Sequence, residues 1–270
     1  MSSSQKKIII TITMILSVLL AIVSYCGVFI PLTYERDAAS MAAQGVGQDI
    51  VDLFLIVPLL IVVLPFIKKD NKLSLFIHSG TLFYILYSLL IYSFGVHFNY
   101  LFLFYCFTLG VALYAFIYII YVLSGMEIES WFDKKMPSKL IGIFLILISV
   151  MFYLLWFKDI LPAVFNNTVP KSVSDYNLLV NPVHVIDIAF ALPGLIITAM
   201  LLLKRNKFGY IFTAIALEFI VLLTIVLIAM VIMLKIRGIS DDMSIAGVFA
   251  VLAVIDLTMI KIFFKSFKTK

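Results

Sequence analysis

The sequence predicts an all-α integral membrane protein, and its composition and long apolar runs carry that prediction. Of the 270 residues, 64% are hydrophobic and only 13% are charged, whereas a soluble domain has about 45–50% apolar and about 25% charged residues. Eight apolar runs are each long enough to cross a hydrocarbon layer of about 30 Å. These observations exclude a soluble enzyme, a nucleic-acid-binding domain and a disulfide-stabilised secreted domain.

The eight runs should be α-helices, because lipid offers backbone polar groups no hydrogen-bond partner outside a helix or a closed barrel. They show no period-2 alternation and are too long for the strands of a barrel. We therefore predict one integral membrane domain, residues 1–270, built as a bundle of eight transmembrane helices. In chain order, the predicted spans cover residues 8–30, 49–67, 73–94, 98–123, 140–157, 183–203, 209–234 and 244–264.

The segments around these spans also carry information. The first run follows Lys6 and Lys7, but it is too long for a signal-peptide core and no small-residue cleavage site follows it, so we interpret it as an anchor. The third and fourth runs meet at His97 and Asn99, which we expect to be structural. The longest connection, residues 158–182, contains prolines and apolar residues, and we expect it to fold back over the outer end of the bundle.

Basic residues are distributed unequally between the two ends of the predicted bundle. Fifteen of the 20 Lys and Arg residues fall on the side of both termini. Because cytoplasmic connections retain basic residues, both termini are expected in the cytoplasm and the protein in the cell membrane. The five basic residues on the opposite side are Arg36, Lys158, Lys171, Lys235 and Arg237.

The second and sixth spans are similar to each other when the chain is shifted by half its length. A shift of 135 residues gives seven identities in the 21 positions from 52 to 72, including Asp52 with Asp187 and Pro58 with Pro193. We predict two parallel four-helix repeats, residues 1–135 and 136–270; transporters built in this way bind their substrate at the repeat interface. The alternative is that the similarity is coincidental, because many transmembrane helices combine an acid, a proline and a basic end.

Polar side chains gather near the outer ends of these two spans. Gln48, Asp49 and Asp52 begin the second span, and His184 and Asp187 begin the sixth. The pairs Asp49–Asp52 and His184–Asp187 are each three residues apart, so each pair shares one helical face. Ionisable groups in a membrane usually face a bundle interior or a watery cavity. We predict that Asp52 and Asp187 form a central ion-binding pair, assisted by Asp49, His184 and Gln48.

Two carboxylates in a cavity of low dielectric constant cannot both stay ionised without a cation. The predicted pair would therefore share a proton or hold a metal ion or a cationic substrate. Pro58 and Pro193 lie six residues inward of the two acids and cannot donate to the carbonyls of Phe54 and Ala189. These freed carbonyls are further candidate ligands.

A simpler interpretation applies to part of this set. Gln48, Asp49 and Asn181 stand at helix starts near the headgroup boundary, where capping would explain them. His184 could pair with Asp187 and do nothing more. Asp52 and Asp187 lie about one turn deeper, where capping does not explain them.

Other candidate residues lie deeper in the spans. Glu218 in the seventh span and Asp256 in the eighth have no obvious basic partner within the membrane. They would extend a proton path from the outer site or lock the bundle by hydrogen bonds between helices. On the third span, Tyr84 and Tyr87 are candidates for lining the site, although a tyrosine stripe usually serves packing.

No sequence motif indicates a cofactor. The chain contains no Walker A, dinucleotide-binding, zincin or serine-hydrolase motif, so we predict no cofactor. A metal cation remains compatible with Asp49, Asp52, His184 and Asp187. The expected partners are the lipid bilayer and a small ligand, proton or cation, without nucleic acid, and a homo-oligomer is compatible with the sequence.

Three stretches, GQDIVDLFLIVPLL, FGVHFNYLFLFY and NPVHVIDIAFALPGLI, resemble those of a family of prokaryotic multi-span membrane proteins with no assigned activity. The resemblance covers most of the chain. It implies the cytoplasmic membrane of a bacterium, and it brings no activity, cofactor or catalytic residue with it.

These observations favour a small transporter or ligand-binding membrane protein with an outward-facing acidic site. One alternative is a membrane-embedded enzyme at the outer leaflet, in which the same acids and His184 hold a metal ion that activates water. Another is a scaffold or sensor subunit without a site of its own. No residue is predicted to be catalytic.

Overall fold

The computed structural model describes residues 1–268 and contains eight helices that are long and apolar enough to cross a membrane. This confirms the predicted all-α multi-pass bundle. In chain order they are α1 (Ser3–Phe29), α2 (Ala39–Lys68), α3 (Lys72–Gly95), α4 (Phe102–Ser124), α5 (Ser138–Asn166), α6 (Pro182–Leu203), α7 (Lys207–Ile236) and α8 (Ser244–Lys265).

Several helices extend beyond the apolar runs that predict them. Helix α2 begins at Ala39, ten residues before the predicted start, because the small and apolar residues of its first turns continue the helix above the acids. Helix α5 continues through Pro162 to Asn166, where a left-handed residue at position 167 ends it. The connection that follows is therefore shorter than predicted, and it contains a short helical turn at Lys171–Ser174.

Helices α3 and α7 form the centre of the bundle and pack against each other. Helix α2 packs against α7 on one side, and α6 makes smaller contacts with α3 on the other. The central pair approaches closely at Gly80, where an added Cβ would lie 2.3 Å from the Cβ of Glu218. Large apolar side chains point outward elsewhere, as expected of a surface that faces lipid. Examples are Phe54, Leu103, Tyr114, Leu154 and Val251.

The connections divide into two ends of the bundle. At the basic end, which holds Met1 and Lys268, Lys6 Nζ donates to the carbonyl of Lys68 at 3.0 Å and Lys207 Nζ donates to the carbonyl of Ser124 at 2.6 Å. An aromatic cluster fills this end. Its members are Phe76, Trp131, Phe132, Tyr210, Phe263, Phe264 and Phe267. We call the opposite end, with connections 30–38, 96–101, 167–181 and 237–243, the distal end.

Helices α2 and α6 share an irregularity at matched positions. A π-helical turn spans Asp52–Ile56 in α2 and Asp187–Ala191 in α6, and each begins at an acid that lies six residues before a proline. The amide of Val57 donates to the carbonyl of Asp52, and that of Leu192 donates to the carbonyl of Asp187. Such single-turn bulges inside α-helices frequently mark functional sites.

Candidate functional site

A cavity of about 280 Å³ lies at the distal end, between α2, α3, α6 and α7. The connection 167–181 covers part of it, as the sequence predicts, through Ser172, Tyr176 and Leu178. Six aromatic side chains that carry a hydroxyl or an indole N–H belong to its wall. They are Tyr34, Tyr84, Tyr87, Tyr92, Trp156 and Tyr176.

The two predicted central acids lie behind this aromatic wall. Asp52 is 1% exposed and accepts a hydrogen bond from the Tyr84 hydroxyl at 2.7 Å. Asp187 is 6% exposed and accepts from the Tyr87 hydroxyl at 3.0 Å and from Trp156 Nε1 at 2.8 Å. Tyr84 and Tyr87 are three residues apart, so both acids approach one stretch of α3. The structure brings them together through tyrosines, without a hydrogen bond from one carboxyl group to the other.

Asp49 has the same kind of environment. It is fully buried, and it accepts from the Tyr34 hydroxyl at 2.5 Å through Oδ2 and from the Tyr92 hydroxyl at 2.9 Å through Oδ1. Burial, followed by the charge of Asp49, raises the pKa of Tyr34 well above the ordinary phenol range, so Tyr34 keeps its proton. Gly27 leaves the room that Asp49 occupies, because a Cβ on Gly27 would lie 1.7 Å from Oδ2. Asp49 is therefore more than a helix cap.

The position of Tyr34 depends on two connections that hold each other at the distal end. His97 donates its backbone amide to Asp37 Oδ1 at 2.9 Å, and its ring Nδ1 lies 2.8 Å from the same oxygen. Asn99 Nδ2 donates to the carbonyl of Thr33 at 2.8 Å, and Arg36 donates to the carbonyl of Phe98 at 2.8 Å. His97 and Asn99 thus hold the segment that carries Tyr34.

The remaining predicted helpers also line the cavity. Gln48 is 4% exposed and His184 is 6% exposed, and both belong to its wall. The ring of His184 packs against Trp156 at a tilt of 49°, with ring centroids 4.7 Å apart, and its buried Nε2 has no hydrogen-bond partner within residues 1–268. His184 therefore does not pair with Asp187, whose oxygens are taken by Tyr87 and Trp156. Asn181 caps α6 by accepting from the amide of Val183, as predicted, and it also lines the cavity.

The carbonyls that the prolines were expected to free do not line the cavity. Neither Phe54 nor Ala189 belongs to its wall. Around the bulge of α6, side chains of α5 donate hydrogen bonds to backbone carbonyls. The Tyr153 hydroxyl donates to the carbonyl of Ile188 at 3.2 Å, and the Ser149 hydroxyl donates to the carbonyl of Leu192 at 2.9 Å. Neighbouring helices thus satisfy backbone groups here, as they commonly do near proline in membrane helices.

The four residues considered for a metal ion do not form a cluster. Within residues 1–268, no group of three or more His, Cys, Asp or Glu side chains is arranged to hold a metal ion. Asp49, Asp52 and Asp187 instead accept from separate aromatic donors, and His184 faces Trp156.

The deeper acids lie apart from the cavity wall. Glu218 on α7 faces Gly80 of α3, and Asp256 on α8 is fully buried with neither carboxyl oxygen hydrogen-bonded. His78 is also buried, and its Nε2 lies 2.8 Å from the Thr13 hydroxyl. None of these three side chains lines the cavity. A proton path from the cavity to Glu218 and Asp256 therefore stays a prediction.

Sequence reasoning missed several residues of the site. Tyr34 lies outside every predicted span, Trp156 resembles an ordinary interfacial anchor, and Tyr176 belongs to a connection. Tyr92 lies at the outer end of the third predicted span, where a tyrosine usually serves packing or interface anchoring. The predicted buried acids do indicate that donor residues exist, because a buried carboxylate requires hydrogen-bond donors. The sequence does not show which aromatic residues supply those donors.

The chain matches no protein family, no curated protein and no solved structure. Its function must therefore be inferred from the site itself.

Proposed function

We propose that this integral membrane protein is a transporter that binds a small solute in the aromatic cavity at its distal end. The observation that carries the proposal is the set of three buried aspartates that hold the wall of the cavity. Burying carboxylates in a membrane bundle is costly, and packing alone does not require them. A binding site explains why the chain bears this cost.

The location of the cavity supports the same proposal. It lies between α2, α3, α6 and α7, which are the matched helices of the two proposed repeats. The bulges at Asp52 and Asp187, and the helix starts at Lys72 and Lys207, each lie 135 residues apart. Transporters built from parallel repeats bind their substrates at such an interface.

The two ends of the bundle differ in a way that suits transport. The aromatic cluster closes the basic end, while the cavity lies near the distal end. The excess of basic residues assigns the closed end to the cytoplasm. The binding cavity would therefore face outward, and solute release would require rearrangement of the aromatic cluster.

Cysteine labelling tests whether the cavity is reached from outside the cell. Cys26 and Cys106 are the only cysteines, and both are first replaced by serine. Ser88 lines the cavity on α3, whereas Ser79 on the same helix is buried away from it. We expect Ser88→Cys to react with a small membrane-impermeant thiol reagent added outside, and Ser79→Cys to remain unmodified.

The result separates the proposal from the alternative of a scaffold. If Ser88→Cys is as unreactive as Ser79→Cys in folded protein, the cavity is closed to solutes and the proposal fails. Asn177→Cys, at an exposed position of the distal connection, serves as the positive control for reagent access.

A further inference from the structure

We propose that the solute is a small methylated ammonium ion, held by the aromatic faces and hydroxyl oxygens of the cavity wall. This inference rests on the proposed function, because it assigns a ligand class to the same cavity. Charge, hydrogen-bonding capacity and size each support it.

The charge around the cavity favours a cation. No Lys or Arg belongs to the wall formed by the described residues, while Asp49, Asp52 and Asp187 lie directly behind it. Asp49 and Asp187 each accept hydrogen bonds at both carboxyl oxygens, which suits an ionised carboxylate. An ionised carboxylate in a medium of low dielectric constant acts strongly over short distances, and a cation bound in the cavity would in turn favour the ionised form of these acids.

The wall also offers several hydrogen-bond acceptors to a ligand. The hydroxyls of Tyr34, Tyr84, Tyr87 and Tyr92 each donate their single hydrogen to an aspartate, so each oxygen can only accept from a ligand. Gln44 Nε2 donates to the carbonyl of Ser40 and to the Tyr176 hydroxyl. Its amide oxygen is thereby left as a further acceptor in the wall.

Among residues 1–268, one buried polar atom in the wall has no hydrogen-bond partner. This atom is Nε2 of His184, a residue that lines the cavity. A buried polar group without a partner is costly, and a bound solute would supply that partner. This observation points to a ligand independently of the aspartates.

The position of the carboxylates selects a methylated ammonium over a primary amine. None of the three aspartates belongs to the cavity wall, so a bound cation meets aromatic rings before it meets a carboxylate. A primary ammonium loses strong hydration that needs replacement by direct charged hydrogen bonds. A quaternary ammonium needs no such bonds, and aromatic cages bind it through cation–π attraction.

The size of the cavity limits the ligand. Its volume of about 280 Å³ is near the lower end of ligand pockets, which range from about 300 to about 1,000 Å³. A small ion such as choline is suited to a cavity of this volume. Choline has a neutral analogue of similar shape, 3,3-dimethylbutan-1-ol, so charge can be tested separately from shape.

The test measures binding of these two probes to purified protein. The chain has two tryptophans, and Trp131→Phe at the basic end leaves Trp156, in the cavity wall, as the only tryptophan, which is excited selectively at wavelengths that tyrosine does not absorb. We expect choline to change the Trp156 fluorescence saturably and to raise the thermal midpoint, as a ligand of the folded state does. The neutral analogue at equal concentration should have little effect on either.

A matched pair of variants tests the aromatic contact. Tyr176 belongs to the cavity wall, whereas Tyr114 is exposed on the lipid-facing side of α4. Loss of one cation–π partner, worth about 0.5–2 kcal/mol, corresponds to roughly two- to thirty-fold weaker binding. We expect this weakening for Tyr176→Leu and unchanged choline affinity for Tyr114→Leu.

Two outcomes would overturn the inference. In one, choline and 3,3-dimethylbutan-1-ol bind equally well; in the other, choline does not bind to folded protein. If Ser88→Cys is still labelled from outside in either case, the cavity remains a solute site and only the ligand class is wrong. Failure of that labelling would remove the proposed function as well.

Discussion

At the scale of single residues, the site is defined by carboxylates that accept from aromatic donors. Asp52 depends on Tyr84, and Asp187 depends on Tyr87 and Trp156. Each donor fixes the orientation of a ring that lines the cavity. The acids thus shape the aromatic wall without belonging to it themselves.

This dependence gives a prediction for Tyr84→Phe. The change keeps the ring but removes the donor that the structure assigns to Asp52. A buried acceptor left without its partner costs about 1–3 kcal/mol, so the thermal midpoint in detergent should fall. Tyr114→Phe, at an exposed position, is the control and should leave the midpoint unchanged. Equal midpoints for the two variants would show that the hydrogen bond contributes nothing to stability.

The sequence predicts the acids of the site better than their partners. Asp52, Asp187 and Asp49 are recognisable because acids are costly inside spans. Their donors lie far away in the chain: Tyr87 is 100 residues from Asp187, and Tyr92 is 43 residues from Asp49. Such pairs depend on how helices pack, which local patterns do not specify.

At the scale of helices, close packing depends on small residues at particular positions. Gly80 allows α3 to approach Glu218 of α7, whereas Gly194 of α6 has no atom within 4 Å of an added Cβ. Small residues at helix contacts are typical of membrane bundles. Helices α3 and α7 pack against each other, and both contribute residues to the cavity wall.

The variant Gly80→Ala tests this helix contact. Its Cβ would overlap with the side chain of Glu218, and overpacking of this kind costs about 1–3 kcal/mol. We expect a lower thermal midpoint for Gly80→Ala and no loss for Gly194→Ala, which places the same methyl group in open space. If Gly80→Ala is as stable as wild type, α3 and α7 do not approach as described.

A second prediction at this scale concerns the start of α1, which is held by the turn between α2 and α3. Lys6 bonds to a carboxylate oxygen of Asp70, and this hydrogen bond lowers the pKa of Asp70 below its ordinary value. Since the pKa is lower in the folded state, the contact stabilises the fold above the unfolded value of about 4. That stabilisation is lost as the pH falls through the lower folded value.

Thermal midpoints of wild type and Asp70→Asn, compared across pH, measure this effect. Asp70 is half-exposed, so solvent screening keeps the difference small. We expect a small advantage of wild type near pH 7 that disappears as the pH falls below about 4. An advantage that persists unchanged at about pH 3 would contradict the assigned contact.

The limits of the helices were predicted less well than their existence. The start of α2 was missed because Ser40, Gln44 and Gln48 interrupt its apolar character, yet a helix that lines a cavity tolerates such residues. The π-helical turns were also not predicted. The sequence does mark their places, because an acid lies six residues before a proline in both α2 and α6.

At the scale of the whole molecule, the bundle has a closed basic end and a distal end that carries the cavity. The positive-inside rule predicts that the basic end faces the cytoplasm. Asn177 belongs to the distal connection and Lys134 to the connection between α4 and α5 at the basic end. In the cysteine-free background, Asn177→Cys should react with an impermeant reagent outside intact cells, and Lys134→Cys should react only after permeabilisation. The reverse pattern would invert the predicted topology.

The central claim is that the protein moves a solute from the cavity across the membrane. The most direct measurement labels Ser88→Cys in sealed vesicles with an impermeant thiol reagent, supplied either outside or trapped inside. A transporter must expose its site to both sides in turn, so we predict labelling from each side, with Ser79→Cys unlabelled from either. Labelling of Ser88→Cys from one side only would contradict transport.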